Sequence, residues 1–180
     1  MLIVDGTDCP IERPTTKQMR LRYFSGRKKD NQYSKYNLKY TIAIHIATGK
    51  ICAVIGPDPG AFADLYSLEI SGMYAYLESW SPFEIILADK GYQGDDHCLT
   101  PWKGPNLTPE QDAFNEVLAS VRQLVECVLK RVKDFRALGA AGRFRCSPEK
   151  HFMVFNVACN IANIAFERNP VWLDTNWYLK

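Results

Sequence analysis

The chain is poor in metal-binding spacing. Among its 180 residues there are three scattered histidines, and none of its six cysteines forms a Cys-x-x-Cys pair. That pattern argues against a zinc site. Several of Cys9, Cys52, Cys98, Cys127, Cys146 and Cys159 sit inside apolar runs, where a thiol behaves as a small hydrophobe. A reducing, intracellular setting is expected. No apolar run reaches the length of a membrane span, so no membrane partner is expected. The start, Met1-Leu2-Ile3-Val4-Asp5, meets its first charge too early for a secretory signal. An excess of one charge is also lacking: the net value is +2, so any case for nucleic acid must come from local clustering. Internal repeats, low-complexity stretches and a second-domain boundary are missing too. What remains is an ordinary globular composition, 47% hydrophobic and 23% charged, in a chain long enough for one real core. We expect a single domain over residues 1–168 and a tail over 169–180 that carries Trp172, Trp177 and Tyr178.

The chain is organised around Ile85-Ile86-Leu87-Ala88-Asp89-Lys90-Gly91-Tyr92. Four apolar residues bounded by turn formers read as a buried central strand. A carboxylate follows at once, and Gly91 permits a sharp exit. Open α/β sheets place their sites at such strand ends. Asp89 could equally do no more than cap the next turn. The same plan recurs at the start, where Leu2-Ile3-Val4 leads into Asp5-Gly6-Thr7. That strand has no residues to spare ahead of it, which suggests the edge of something longer.

Leu38, Tyr40, Ile42, Ile44 and Ile46 alternate with period two, so residues 38–47 are a strand. Thr48-Gly49-Lys50 is a turn, and residues 51–55 pair back as a hairpin. Gly56-Pro57-Asp58-Pro59-Gly60 reads as a loop. Helical spacing covers 61–79, with a break at Ser71-Gly72 and Asp64 as its cap. A short fifth strand is expected at 97–100. Thr108-Pro109-Glu110-Gln111 carries a capping box with Pro at the first helical position, and an apolar stripe continues to about Phe135. Ser147-Pro148 opens a last helix, apolar on most sides and so expected to be well buried.

Residues 20–40 differ from the rest. Arg20, Arg22, Arg27, Lys28, Lys29, Lys35 and Lys39 interleave with Tyr23, Phe24, Tyr33, Tyr36 and Tyr40. Cations pair with phosphates and aromatic faces stack on bases; a solvated basic hairpin loop explains the same pattern. Glu126 lies beside the apolar stripe of the long helix, flanked by Arg122, Lys130 and Lys133. On spacing alone this is an ordinary helical salt ladder.

Three strands, helix, strand, short strand, long helix and final helix make an α/β chain with the ribonuclease H-like arrangement. There, the first and fourth strands lie side by side, which would bring Asp5 to Asp89, and the long helix can offer Glu126. Clustered carboxylates raise one another's pKa. They become useful with divalent cations between them, and such oxygen ligands suit two Mg²⁺ or Mn²⁺ ions. Two ions about 3.5–4 Å apart can activate a water or 3′-hydroxyl for in-line attack on a phosphodiester.

At this point the residues resemble the DDE-type transposases, in particular the PIF/Harbinger group and related insertion-sequence transposases. The matching pieces are Val4-Asp5-Gly6-Thr7, residues 23–29, residues 59–64, Leu87-Ala88-Asp89-Lys90-Gly91-Tyr92, residues 99–103, Asn115 through Arg122, Val125-Glu126 and Lys133. Together they cover most of residues 3–166. The resemblance implies a metal-dependent strand-cutting and strand-joining domain with Asp5, Asp89 and Glu126 as catalytic, metal-holding acids. It implies DNA contacts from Arg27, Lys28, Lys29, Lys35 and Lys39, and from Lys90, Arg122, Lys130 and Lys133 around the active face. The expected partners are DNA, a second copy of the chain or a separate DNA-binding protein. The expected location is the nucleus in a eukaryotic source and the cytoplasm otherwise. Two features depart from the family. Ala63 stands where a His usually precedes the Asp, and no helical region precedes Asp5. A truncated or domesticated module that binds DNA or protein without cutting is the alternative.

Overall fold

The computed structural model describes residues 1–25, 35–80, 85–139 and 145–168. Its elements are β1 (Leu2–Pro10), α1 (Lys17–Tyr23), β2 (Asn37–His45), β3 (Ile51–Pro59), α2 (Asp64–Glu69), α3 (Met73–Trp80) and β4 (Ile86–Leu87). A 3₁₀ turn (Lys90–Tyr92), β5 (Cys98–Leu99), α4 (Pro109–Lys133) and α5 (Pro148–Arg168) follow. The strands form one mixed sheet in the order β3-β2-β1-β4-β5. The β1–β2 and β2–β3 pairs are antiparallel, and the β1–β4 and β4–β5 pairs are parallel. The first and fourth strands are thus neighbours, as the ribonuclease H-like order requires.

The alternation in β2 does more than bury one face. Leu38, Tyr40, Ile42 and Ile44 join a core with Val121, Val125 and Val128 of α4 and Phe155 of α5. Ala43, on the opposite face, joins Val4, Ile86, Leu68, Met73 and Tyr92 in a second core under α2 and α3. The sheet is therefore covered by helices on both faces, and its interior strand β2 is buried almost throughout. Tyr40 stacks on Phe155 with ring centroids 4.0 Å apart. Asn163 of α5 holds the edge strand through Ile51, accepting from its N–H at 2.8 Å and donating to its carbonyl at 2.9 Å.

The start of α4 follows from local chemistry. Thr108 Oγ1 accepts from the Gln111 N–H at 3.3 Å, and Gln111 Oε1 accepts from the Thr108 N–H at 3.0 Å. Those two bonds satisfy donors that a helix start otherwise leaves orphaned.

Five expectations are corrected. β1 does not stop at Asp5 but continues to Pro10, since β2 pairs with it along its full length. The segment from Gly56 to Pro59 is strand rather than loop. β3 is the edge of the sheet, where proline costs no ladder hydrogen bond on its open side, and a register shift between Lys39 and Thr41 absorbs the irregularity. α1, within the basic region, is an exposed helix capped by Thr16. α2 is capped at Ala63, and the Asp64 side chain turns elsewhere. Finally, α5 buries only one face: Met153, Val157, Ile161 and Ile164 are exposed. None of the six cysteines is in a disulfide.

Candidate active site

Register brings the two aspartates together. Leu2 pairs with Ile86 and Ile3 with Leu87 in the parallel β1–β4 ladder. Continued by two residues, the same register sets Asp5 beside Asp89. Each carboxylate is oriented by a backbone donor just after it: Gly6 N–H to Asp5 Oδ1 at 2.8 Å, and Gly91 N–H to Asp89 Oδ1 at 2.6 Å. Burial pushes the Asp5 carboxyl up to about 6, and the neighbouring Asp89 charge adds to it. The Gly6 N–H and the Arg122 guanidinium pull the other way, and Asp64 raises it further. Arg122 on α4 reaches Asp89 Oδ2 at 4.0 Å.

Glu126 stands one helical turn beyond Arg122 and is exposed. Among the described residues, no three His, Cys, Asp or Glu side chains form a group compact enough to hold a metal ion. The structure therefore brings Asp5 and Asp89 together and leaves Glu126 outside a tight triplet with them. The Asp5–Asp89 pair fits a hard divalent cation: both offer oxygen, and an ion between them would offset the repulsion between their charges.

The cations expected to contact DNA differ in exposure. Lys35, Lys90 and Lys130 are exposed, and Lys133 is half-buried. Arg27, Lys28 and Lys29 lie outside the described residues. Lys39 corrects an expectation. Its side chain is only 7% exposed, and its ammonium donates to Asp64 Oδ1 at 2.8 Å and to the Phe62 carbonyl at 2.5 Å. It sits on the face of β2 that carries Thr41 and Ala43, under α2, and is spent on an internal ion pair. The reading of the sequence missed Asp64 as a member of this site. The available signal was Lys39 itself, a cation inside a strand that is otherwise apolar or uncharged.

The family model for DDE superfamily endonucleases matches residues 4–163. The chain belongs to the DDE superfamily endonucleases. Among the curated relatives of this chain is a "Probable transposase for insertion sequence element IS702" from Microchaete diplosiphon. It is 31% identical over an alignment of 152 residues, and the match covers 81% of this chain and 50% of the relative. The chain thus spans about half the length of the relative it matches. No solved structure matches it.

Proposed function

We propose that this endonuclease domain cuts and joins DNA strands at the Asp5–Asp89 edge of the sheet, with Glu126 as the third acid. The observation that carries this reading is the placement of Asp5 and Asp89 at one level of adjacent parallel strands, with Asp5 held up to about 6. A carboxylate with a raised pKa inside one strand, beside a second carboxylate just past the end of the next, marks a site where charge has to be managed. Asp5 and Asp89 would hold Mg²⁺ or Mn²⁺, with Glu126 contributing from α4. When bound, the two ions supply an activated water or 3′-hydroxyl and a stabilised leaving oxygen. The chain's own residues do the rest. The Gly6 and Gly91 N–H groups fix the two carboxylates. Arg122 offsets their negative charge and lies where a phosphate would approach. Lys35, Lys90, Lys130 and Lys133 would track the DNA backbone on either side, each as a counterion for phosphate.

One observation favours the second reading, a module that binds without cutting: the acidic groups among the described residues do not form a three-ligand set. Plasmid nicking separates the two. Wild type should nick with Mg²⁺ or Mn²⁺, and Asp89→Asn and Glu126→Gln should each lose at least ~10³-fold, as residues acting as one unit do. A wild-type chain that nicks with neither ion, yet retains a DNA probe in EDTA, would establish the binding module instead. If Glu126→Gln cuts as well as wild type, Glu126 is not the third acid.

A further inference from the structure

Asp64 is placed in an unusual position for a helix-start residue. It does not cap α2; its carboxylate lies between Gly6 of β1 and Gly91 of the 3₁₀ turn. A methyl group added at Gly6 would meet Asp64 Oδ1 at 2.7 Å, and one added at Gly91 would meet Asp64 Oδ2 at 3.4 Å. One oxygen therefore faces the residue after Asp5, and the other faces the turn after Asp89. A side chain at Gly6 would have to displace the Asp64 carboxylate, whereas at Gly91 the nearer obstacle is Asp89 Oδ1 at 2.8 Å and Asp64 Oδ2 is at ordinary contact distance. The carboxylate is also fixed from behind. Lys39 Nζ holds Oδ1 at 2.8 Å from a side chain that is almost fully buried, while the Asp64 side chain stays 29% exposed. Lys39 is anchored a second time on the Phe62 carbonyl, two residues before Asp64. A buried ammonium with a carboxylate and a carbonyl as partners has little freedom to rearrange.

We propose that Asp64 is a positioning residue of the nuclease site: braced by Lys39, it wedges between Gly6 and Gly91 and sets the spacing of Asp5 and Asp89. This rests on the proposed cutting of DNA at those two carboxylates. Asp64 neither attacks nor carries a proton in this role. It acts through the two glycine turns, so losing it should slow the chemical step and leave DNA binding intact.

Two measurements on the full chain test the wedge. The first is thermal melting without metal, which is independent of cleavage. Gly6→Ala and Asp64→Ala should each lower Tm, and the double variant should melt well above the sum of the two losses, because removing the carboxylate makes room for the new methyl group. Additive losses would overturn the wedge. The second is nicking kinetics, taken well below each variant's melting transition. Asp64→Asn should lower kcat at least tenfold with KM for DNA within twofold of wild type, and Asp64→Glu, one methylene too long for the gap, should not restore it. An unchanged kcat, or a rise in KM alone, would overturn the positioning role. A wild-type chain that cuts nothing removes the nuclease reading and the positioning role together, whereas the Tm coupling would still locate Asp64 between the two turns.

Discussion

Asp5 and Asp89 stand at the same level of neighbouring strands, yet their surroundings differ. Asp5 lies inside a nine-residue strand, with Ile42 of β2 opposite it. Asp89 follows a two-residue strand and opens a 3₁₀ turn, where Arg122 approaches at 4.0 Å and a third of its side chain meets solvent. Burial pushes the Asp5 carboxyl up to about 6. Two carboxylates that a parallel register forces together are thus made unequal by how far each strand runs. The longer strand gives rigidity and a proton that is hard to lose. The shorter one gives access to solvent and to the guanidinium.

The most severe way to break this comparison is to remove each carboxylate in turn. If the two serve one site, Asp5→Asn and Asp89→Asn should abolish nicking alike, each by at least ~10³-fold, and the double variant should be hardly worse than either. Initial rates of plasmid relaxation with Mg²⁺ check this. Losses that multiply in the double variant would mean two independent roles.

A smaller effect sharpens the difference between the two acids. The folded Asp5 carboxyl sits near 6 against a reference value of 3.8. A raised acid pKa means that the folded state holds the proton more tightly than the unfolded chain. This contribution to stability is therefore present at low pH and lost as pH rises from about 4 through about 6. The span amounts to ~3 kcal/mol. In EDTA, Asp5→Asn should be close to wild type in stability at pH 4, apart from a constant offset, and should gain ~3 kcal/mol relative to it by pH 7. Urea unfolding at the two pH values reads the gap directly. A gap that does not change with pH would show that Asp5 is not the strained member of the pair.

Much of this arrangement is legible in the sequence, and the parts that are not share a cause. The period-two run in β2, the Thr108-Gln111 box and the apolar segment before Asp89 depend on neighbours within a few residues, and each is found where expected. The continuation of β3 through Pro57 and Pro59 depends on its being an edge strand, which only the assembled sheet decides. α1 carries no apolar stripe because it buries none of its residues, so periodicity could not find it. The site divides in the same way. Asp5 and Asp89 each announce themselves by a strand followed by glycine. Asp64 enters through an ion pair with a lysine 25 residues earlier and through its place between Gly6 of β1 and Gly91 of the 3₁₀ turn. No local spacing encodes a contact of that kind.

The gentlest test concerns Arg122, the group that links the two acids. Its guanidinium and the Asp89 carboxylate are each about one-third exposed, and 4.0 Å is a loose separation. Solvent screening at such a pair limits its worth, so Arg122→Gln should change overall stability by less than ~1 kcal/mol. Its influence on Asp5 should be easier to see. The Arg122 charge is one of the two influences that hold the Asp5 carboxyl down, the other being the Gly6 N–H. Without it, Asp5 should keep its proton to a higher pH. The midpoint of the pH-dependent gap between Asp5→Asn and its parent should move upward in the Arg122→Gln background. An unmoved midpoint would mean that α4 touches the site only through Asp89, and that the two strands alone set the inequality between the acids.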